Sequence, residues 1–406
     1  MPEVADDPGS ALPDRLDVDE GGRAGTAGRV RLYSVQDGEP PSRIVLGAAE
    51  DWRGLLLPLA RAQDALTHLE AAMALASEAV RDGLLARVAL AEAAGWLAHQ
   101  GVWVSETDLA LRDAGLVGAW GVASHAGRLA QEMPATVATA AVGGTTGHGA
   151  AAPDGASPPP PDDRLVGFAL RLARHWRELA LPEWVLAAGG EGDRERDGLR
   201  RALATLGRGG PVGDDEWRGW LMLMDGDESL PPLVHAARLA RVWQEERAAG
   251  EGRADLLSPA ALFLAAALWR GRRHDGLSLP LWSAPPAMLH ALALRRTGTG
   301  AAGWTAGLLA TAAEAARHAH GELRRLQEVE RRGVALAAAA TSRSRLPTAL
   351  DVALRLPVLT PGALAVRAGV SARAGLALVG RLVKGGVLRE VTGRGAWRAY
   401  ALAAEG

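Results

Sequence analysis

The chain contains no cysteine among its 406 residues. This absence excludes disulfide bonds, thiolate nucleophiles and zinc sites built from cysteine. It fits a reducing compartment, and the acidic N-terminus lacks the basic and then apolar start of a secretory signal, so we expect a cytoplasmic protein. Long hydrophobic runs are also lacking. No uncharged apolar stretch reaches the ~18 residues that span a membrane, and we expect no membrane partner.

Recognisable enzyme motifs are missing as well. The sequence has no P-loop, no GxGxxG dinucleotide fingerprint and no GxSxG nucleophile elbow. His318 and His320 are two residues apart, so on a helix they face away from each other, unlike a metal-binding pair spaced by three or four. The sequence therefore predicts no cofactor and no metal site.

What the chain does have is a helix-forming composition. Ala, Leu, Gly and Arg dominate, and β-branched residues are few outside the C-terminus. Lys384 is the only lysine, so 44 of the 45 basic residues are arginines. This composition predicts a mainly α fold, with a multi-helical body and a small C-terminal domain.

The pattern along the chain predicts five parts. The first residues are acidic and have few large apolar side chains to bury, which predicts disorder. A Gly-rich stretch that ends in Pro158 to Pro161 predicts a linker. The predicted organisation is a disordered acidic tail at 1–48, an N-terminal helical segment at 49–142, a Gly/Pro-rich linker at 143–163, a helical body at 164–340 and a C-terminal domain at 341–406.

Apolar residues at helical spacing, together with capping residues, predict the individual helices. A stripe from Leu56 to Leu69 predicts a first helix with Pro58 in its first turn, and Ser105 is the predicted N-cap of the third. The 13 tryptophans are spread along the chain and are predicted to be mostly buried anchors. Further helices are predicted at about 78–99, 163–179, 182–187, 217–224, 230–246, 259–269 and 304–332.

The C-terminal domain carries the clearest local pattern in the chain. Thr360 and Pro361 are typical of a helix start, and Gly369 ends that short helix. Ser371 is the predicted N-cap of a second helix, which stops at Gly385-Gly386. Residues 387–391 and 397–402 alternate like two strands around the Gly-rich turn 392–395. Helix, turn, helix and hairpin together predict a winged helix-turn-helix.

The charge of this domain predicts DNA as its partner. Residues 341–406 contain ten basic and three acidic residues, a net charge of +7, whereas the whole chain is −2 and the remainder therefore −9. Arg373, Arg381 and Lys384 lie on the second helix, away from its apolar stripe, and are predicted to contact the groove or its phosphates. Arg394 and Arg398 are predicted to contact DNA from the hairpin.

Other partners stay open at this point. Winged helices also dock proteins or form dimers, and a homodimer is one alternative. The outward positions of the second helix include Ala372, Leu376, Ala377 and Gly380. These residues lack the Asn and Gln side chains that read base edges, which favours phosphate contacts over sequence-specific reading.

Several stretches resemble Fic-type proteins, in particular a branch of bacterial proteins that pair a Fic-like helical body with a C-terminal helix-turn-helix. Residues 57–66 are similar to the opening helix of that branch and residues 90–113 to its next segment. Residues 230–237 resemble the helix that precedes the Fic active loop, and 391–399 the final hairpin. The resemblance implies a Fic-like helical body and a DNA-binding C-terminus.

The Fic active loop has the form His-Pro-Phe-x-Asp-Gly-Asn-Gly-Arg, in which the His is the general base. Here Gly250, Gly252 and Arg253 match its glycines and arginine, but no His precedes them and no Asn lies between the glycines. Without that His, no residue is placed to abstract a proton. The sequence favours a non-catalytic DNA-binding protein, with a degenerate Fic-like nucleotidyl transferase or a protein-docking scaffold as alternatives.

Overall fold

The described part of the chain is mainly α-helical, as predicted. It forms twelve helices and one two-stranded antiparallel sheet. The computed structural model describes residues 52–99, 102, 104–116, 163–180, 193–206, 212–225, 230–248, 258–271, 301–341, 343–393 and 398–403. The predicted tail at 1–48, most of the predicted linker and the predicted helix at 182–187 lie outside these residues, and the domain boundaries stay predictions.

Within the described residues, the two strands come after all twelve helices. In chain order they are α1 (Trp52–Ala74), α2 (Glu78–His99), α3 (Glu106–Asp113), α4 (Asp163–Leu179), α5 (Asp193–Leu206), α6 (Asp214–Asp225), α7 (Pro232–Ala248), α8 (Pro259–Gly271), α9 (Ala301–Ala338), α10 (Leu346–Arg355), α11 (Pro361–Ala368), α12 (Ala372–Lys384), β1 (Leu388–Glu390) and β2 (Tyr400–Leu402).

The longest helix, α9, connects the two ends of the fold. Its 38 residues give it a length of about 57 Å at 1.5 Å per residue. Helix α1 packs along it through a buried stripe spaced by three and four residues, and small alanines on α9 allow a close approach. The α1 stripe consists of Leu55, Leu59, Ala62, Leu66, Leu69 and Met73.

Helix α8 lies at the centre of the remaining body helices. Every residue from Ala260 to Trp269 is buried, so this helix is apolar on all sides and contacts α4, α5 and α7. Tryptophans anchor the layers around it. Trp220 and Trp243 join α6 to α7 with ring centroids 4.6 Å apart, and Trp176 of α4 packs edge-on against Phe263.

Several helices differ in length from the sequence-based expectation. Helix α1 begins at Trp52, so Pro58 lies inside the helix rather than in its first turn. Proline has no N–H, so the carbonyl of Gly54 loses its helical partner. Helix α6 starts three residues earlier than expected, at Asp214, and α9 extends to Ala338. Helices α5 and α10 were not among the predicted helices.

The C-terminal module, defined here as the described residues 343–393 and 398–403, shares a buried core with helices α1 to α9, which are together called the helical body from here on. Leu346 and Leu350 of α10 are buried with α2 and α9, and one continuous apolar cluster runs from α1 to β2. Among the described residues, no single helix is both long and apolar enough to span a bilayer; only the bent pair α11 and α12, taken together, passes on length and composition.

Candidate nucleic-acid interface

Side-chain caps and a left-handed glycine define the two helices at the centre of the module. Thr360 Oγ1 accepts a hydrogen bond from the backbone N–H of Ala363 at 3.1 Å, and Pro361 occupies the first turn of α11. Gly369 ends this helix at a φ of 63°, a conformation that glycine adopts without steric cost. Ser371 Oγ then accepts from the N–H of Ala374 and caps α12.

Helices α11 and α12 meet at an angle of 110° across the three-residue connection 369–371. Helix-turn-helix motifs join two helices at about 90–120° through a connection of similar length. The contact is close because Gly375 faces α11. A Cβ on that residue would lie 2.8 Å from both the Ala365 Cβ and the Pro361 carbonyl oxygen. The backbones of the two helices therefore approach closely at Gly375.

A short sheet follows α12 and closes the module. Strands β1 and β2 pair antiparallel with Arg389 opposite Ala401, and both strands are shorter than predicted. Leu359, between α10 and α11, exchanges backbone hydrogen bonds with Tyr400 at 2.7 and 2.8 Å. These hydrogen bonds therefore connect the segment between α10 and α11 to the last strand of the module.

The outward side of α12 carries three of the predicted site residues. Its buried stripe is Gly375, Leu378, Val379 and Leu382. Arg373 and Lys384 project from the opposite side, and Arg381 from its flank; all three are exposed. The 11-residue spacing of Arg373 and Lys384 corresponds to about 16 Å along the helix axis.

Only small side chains lie between those two cations on the same side. Ala377 and Gly380 are both exposed, and apart from the adjacent backbone of α12 no described atom lies within 4 Å of where a Gly380 Cβ would be. This leaves room for close approach of the α12 backbone to a partner. It also provides no amide or carboxylate that could distinguish one base pair from another.

The hairpin residues of the prediction are placed in part. Arg398 is about half exposed, with its Nε 3.9 Å from Glu390 Oε1 of the neighbouring strand. That contact neutralises part of its charge. Arg389 on β1 is exposed, although the sequence did not single it out. Arg394, a predicted contact at the tip of the hairpin, lies outside the described residues.

Two arginines of the helical body hold the back of the C-terminal module. Arg87 of α2 is buried and donates through Nη1 to the carbonyl of Leu354 at 2.9 Å and through Nη2 to that of Leu356 at 2.8 Å. Arg325 of α9 donates to the carbonyl of Ala403, just after β2. Nothing in the sequence predicted these contacts, since Arg87 and Leu354 are 267 residues apart.

Glu322 of α9 lies between these two arginines. Its carboxylate accepts from Arg325 Nε and Nη2 at 2.7 Å each and lies 3.6 Å from Arg87 Nε. Burial lowers the pKa of Arg87 to about 10, and the charge of Glu322 opposes that shift. Arg87 is therefore still charged near pH 7 and keeps its donors.

Arg355, at the end of α10, faces the helical body rather than solvent. It pairs with Asp351 on its own helix and with Glu78 and Asp82 of α2. Hydrogen bonding to Asp351 raises its pKa above the usual range for arginine. One of the ten basic residues of the predicted domain thus binds the acidic body and does not contribute to the outward face of α12.

No protein-family model matches this chain, and no curated protein matches it significantly. The resemblance to Fic-type proteins stays a prediction. Its loop remnant, Gly250 to Arg253, lies outside the described residues. Among the residues that the structure describes, no group of three or more His, Asp or Glu side chains could hold a metal ion.

Proposed function

We propose that residues 341–406 form a winged helix-turn-helix that binds duplex DNA, and that the protein is a non-catalytic DNA-binding regulator. The observation that carries the proposal is the outward side of α12, which is exposed while the opposite side of the module packs on the body. Arg373, Arg381 and Lys384 lie on this free side. Cations at these positions can bind phosphates along a groove.

The electrostatics of the module support a polyanionic partner. Between Arg343 and Lys384 the only carboxylate in the sequence is Asp351, and it is bound to Arg355 on the side of the body. Among the described residues no carboxylate pairs with Arg373 or Lys384. The cations on α12 therefore keep their full charge for a partner.

The proposal implies binding with little sequence preference. Base edges in the major groove are read by Arg, Asn, Gln and acidic side chains at fixed positions. The centre of the outward side of α12 has Ala377 and Gly380 instead. Duplexes of unrelated sequence are expected to bind with similar affinity, whereas a sequence-specific site would be preferred by ~10³-fold or more.

Paired variants of the full-length protein test the proposal. Arg373→Ala with Lys384→Ala removes two phosphate contacts and is expected to weaken duplex binding ~10-fold at 100 mM salt, measured by fluorescence anisotropy. The control is Arg171→Ala with Arg177→Ala, which removes the same charge from exposed positions on α4. Equal affinity of both double variants and the parent would contradict the proposal.

A protein-docking role is the second candidate, because apolar side chains are exposed on the same two helices. Val366 of α11 is 83% exposed and Leu376 of α12 is 56% exposed. A dimer or another protein could cover them. In that case Arg373→Ala with Arg381→Ala would change oligomer size in light scattering and leave DNA affinity unchanged.

A further inference from the structure

The connection between α9 and α10 adds two cations beside α12. Arg343 and Arg345 are exposed and lie on either side of Ser344 in this connection, called here the basic joint (343–345). The hydroxyl of Ser344 accepts from Arg381 Nη1 at 3.4 Å and from the backbone N–H of Leu346 at 3.2 Å. Residues 37 positions apart in sequence are thereby neighbours.

This contact places three exposed arginines close together in space. The Cα atoms of Arg343 and Arg345 are each about 3.8 Å from that of Ser344, which is the length of one peptide unit. Arg381 reaches Ser344 from the C-terminal half of α12. The basic joint therefore lies beside the flank of α12 and adds two exposed cations next to Arg381.

No acid compensates these charges within the described residues. Neither Arg343 nor Arg345 is paired with a carboxylate there. Arg345 occupies the N-cap position of α10 but makes no side-chain capping hydrogen bond. Within the part of the chain that the structure describes, the guanidinium groups of the basic joint therefore have no partner that would explain their position.

We propose that the basic joint is a second phosphate-binding site, which contacts the DNA backbone next to the segment that α12 occupies. This inference rests on the proposed function and adds further residues to the proposed DNA-binding surface. Recognition would then use two separate parts of the chain, α12 and the basic joint, held together by Arg381 and Ser344. Because guanidinium groups bind phosphate oxygens without reading bases, the added site strengthens binding to any sequence.

The salt dependence of binding tests this site in the full-length protein. The slope of log K against log salt changes by about 0.9 for each phosphate contact that is lost on duplex DNA. Arg343→Ala with Arg345→Ala is expected to reduce the slope by about 1 to 2. Arg343→Lys with Arg345→Lys keeps both charges and is expected to keep most of the slope. Circular dichroism checks that α10 still forms.

The outcomes separate this inference from the proposed function. If the parent protein shows no salt-dependent affinity, the proposed function fails and the basic joint with it. If the parent and the Arg373→Ala, Lys384→Ala variant behave as proposed but the alanine variant of the basic joint keeps the parental slope, only the second site is wrong. A lysine variant that loses as much slope as the alanine variant would also overturn it.

Discussion

Glu106, the first residue of α3, is the carboxyl group with the most perturbed ionisation among the described residues. Burial raises its pKa to about 7, and the negative charge of Glu322 acts in the same direction. Arg87 and Arg325 oppose the shift. The group lies where α2, α3 and α9 meet, close to the arginines that hold the C-terminal module.

This shift makes the free energy of unfolding depend on pH. The folded state keeps the proton up to about pH 7, whereas the unfolded state releases it near pH 4.5, so the contribution of Glu106 is lost as pH rises between these values. Glu106→Gln is expected to be more stable than the parent by ~2 kcal/mol at pH 8 and similar at pH 4.5. Urea unfolding at both pH values measures this difference in stability. An equal difference at both pH values would contradict the raised pKa of Glu106.

The exposure of individual site residues could be predicted from the sequence, whereas their long-range contacts could not. Exposure of Arg373, Arg381 and Lys384 followed from the 3.6-residue period of α12, because the positions opposite its apolar stripe were legible in the sequence. The distant partners of Arg355 and Arg87 could not be predicted from the sequence. Both pair with residues more than 260 positions away in sequence, and no local pattern encodes such contacts.

At the scale of elements, replacing each of the two glycines of α12 by alanine is expected to have opposite effects on stability. Gly375→Ala would place a Cβ 2.8 Å from the Pro361 carbonyl, which is backbone and cannot move aside easily. We expect a loss of ~1–3 kcal/mol in the free energy of unfolding. Gly380 is the matched control on the same helix. Its Cβ would meet open space, and Gly380→Ala is expected to stabilise by ~0.5–1 kcal/mol.

Thermal unfolding of the two variants distinguishes these effects. A lower midpoint for Gly375→Ala and a higher one for Gly380→Ala support the close packing of α11 on α12. If both variants were stabilised, as helix propensity alone would predict, α12 would not approach α11 as closely as the structure places it.

The bounds of elements were predictable where capping residues mark them. Thr360, Gly369 and Ser371 fixed the ends of α11 and the start of α12, since caps and left-handed glycines are local signals. Helix α10 was not predicted, since its N-cap position, Arg345, makes no side-chain capping hydrogen bond and carries none of the usual capping residues. The strands are assigned over fewer residues than predicted, although backbone hydrogen bonds from Val391 to Ala399 and from Ala403 to Val387 continue the antiparallel pairing on either side.

At the scale of the whole molecule, the C-terminal module is attached to the body by hydrogen bonds from arginine side chains to its backbone as well as by apolar packing. Arg87 donates to three carbonyls, those of Gly83, Leu354 and Leu356. A lysine has one nitrogen and cannot reproduce this geometry. Arg87→Lys is expected to cost ~2–3 kcal/mol because carbonyls of α10 lose their partners. Arg81→Lys, on the same helix, is the matched control.

Urea unfolding and limited proteolysis measure this effect. The Arg87→Lys variant should unfold at lower urea concentration and be cleaved sooner between the body and α10, whereas Arg81→Lys should match the parent. Unchanged stability of Arg87→Lys would show that apolar packing alone fixes the module.

The central claim is that this chain presents a cationic helix surface to the phosphates of DNA. The most direct test is the affinity of the full-length protein for a random-sequence duplex between 50 and 200 mM salt. Three contacts from α12 predict a slope of about −3 in log K against log salt, and steeper if the basic joint and hairpin also bind. No binding at 50 mM salt, or an affinity that stays constant over this range, would contradict it.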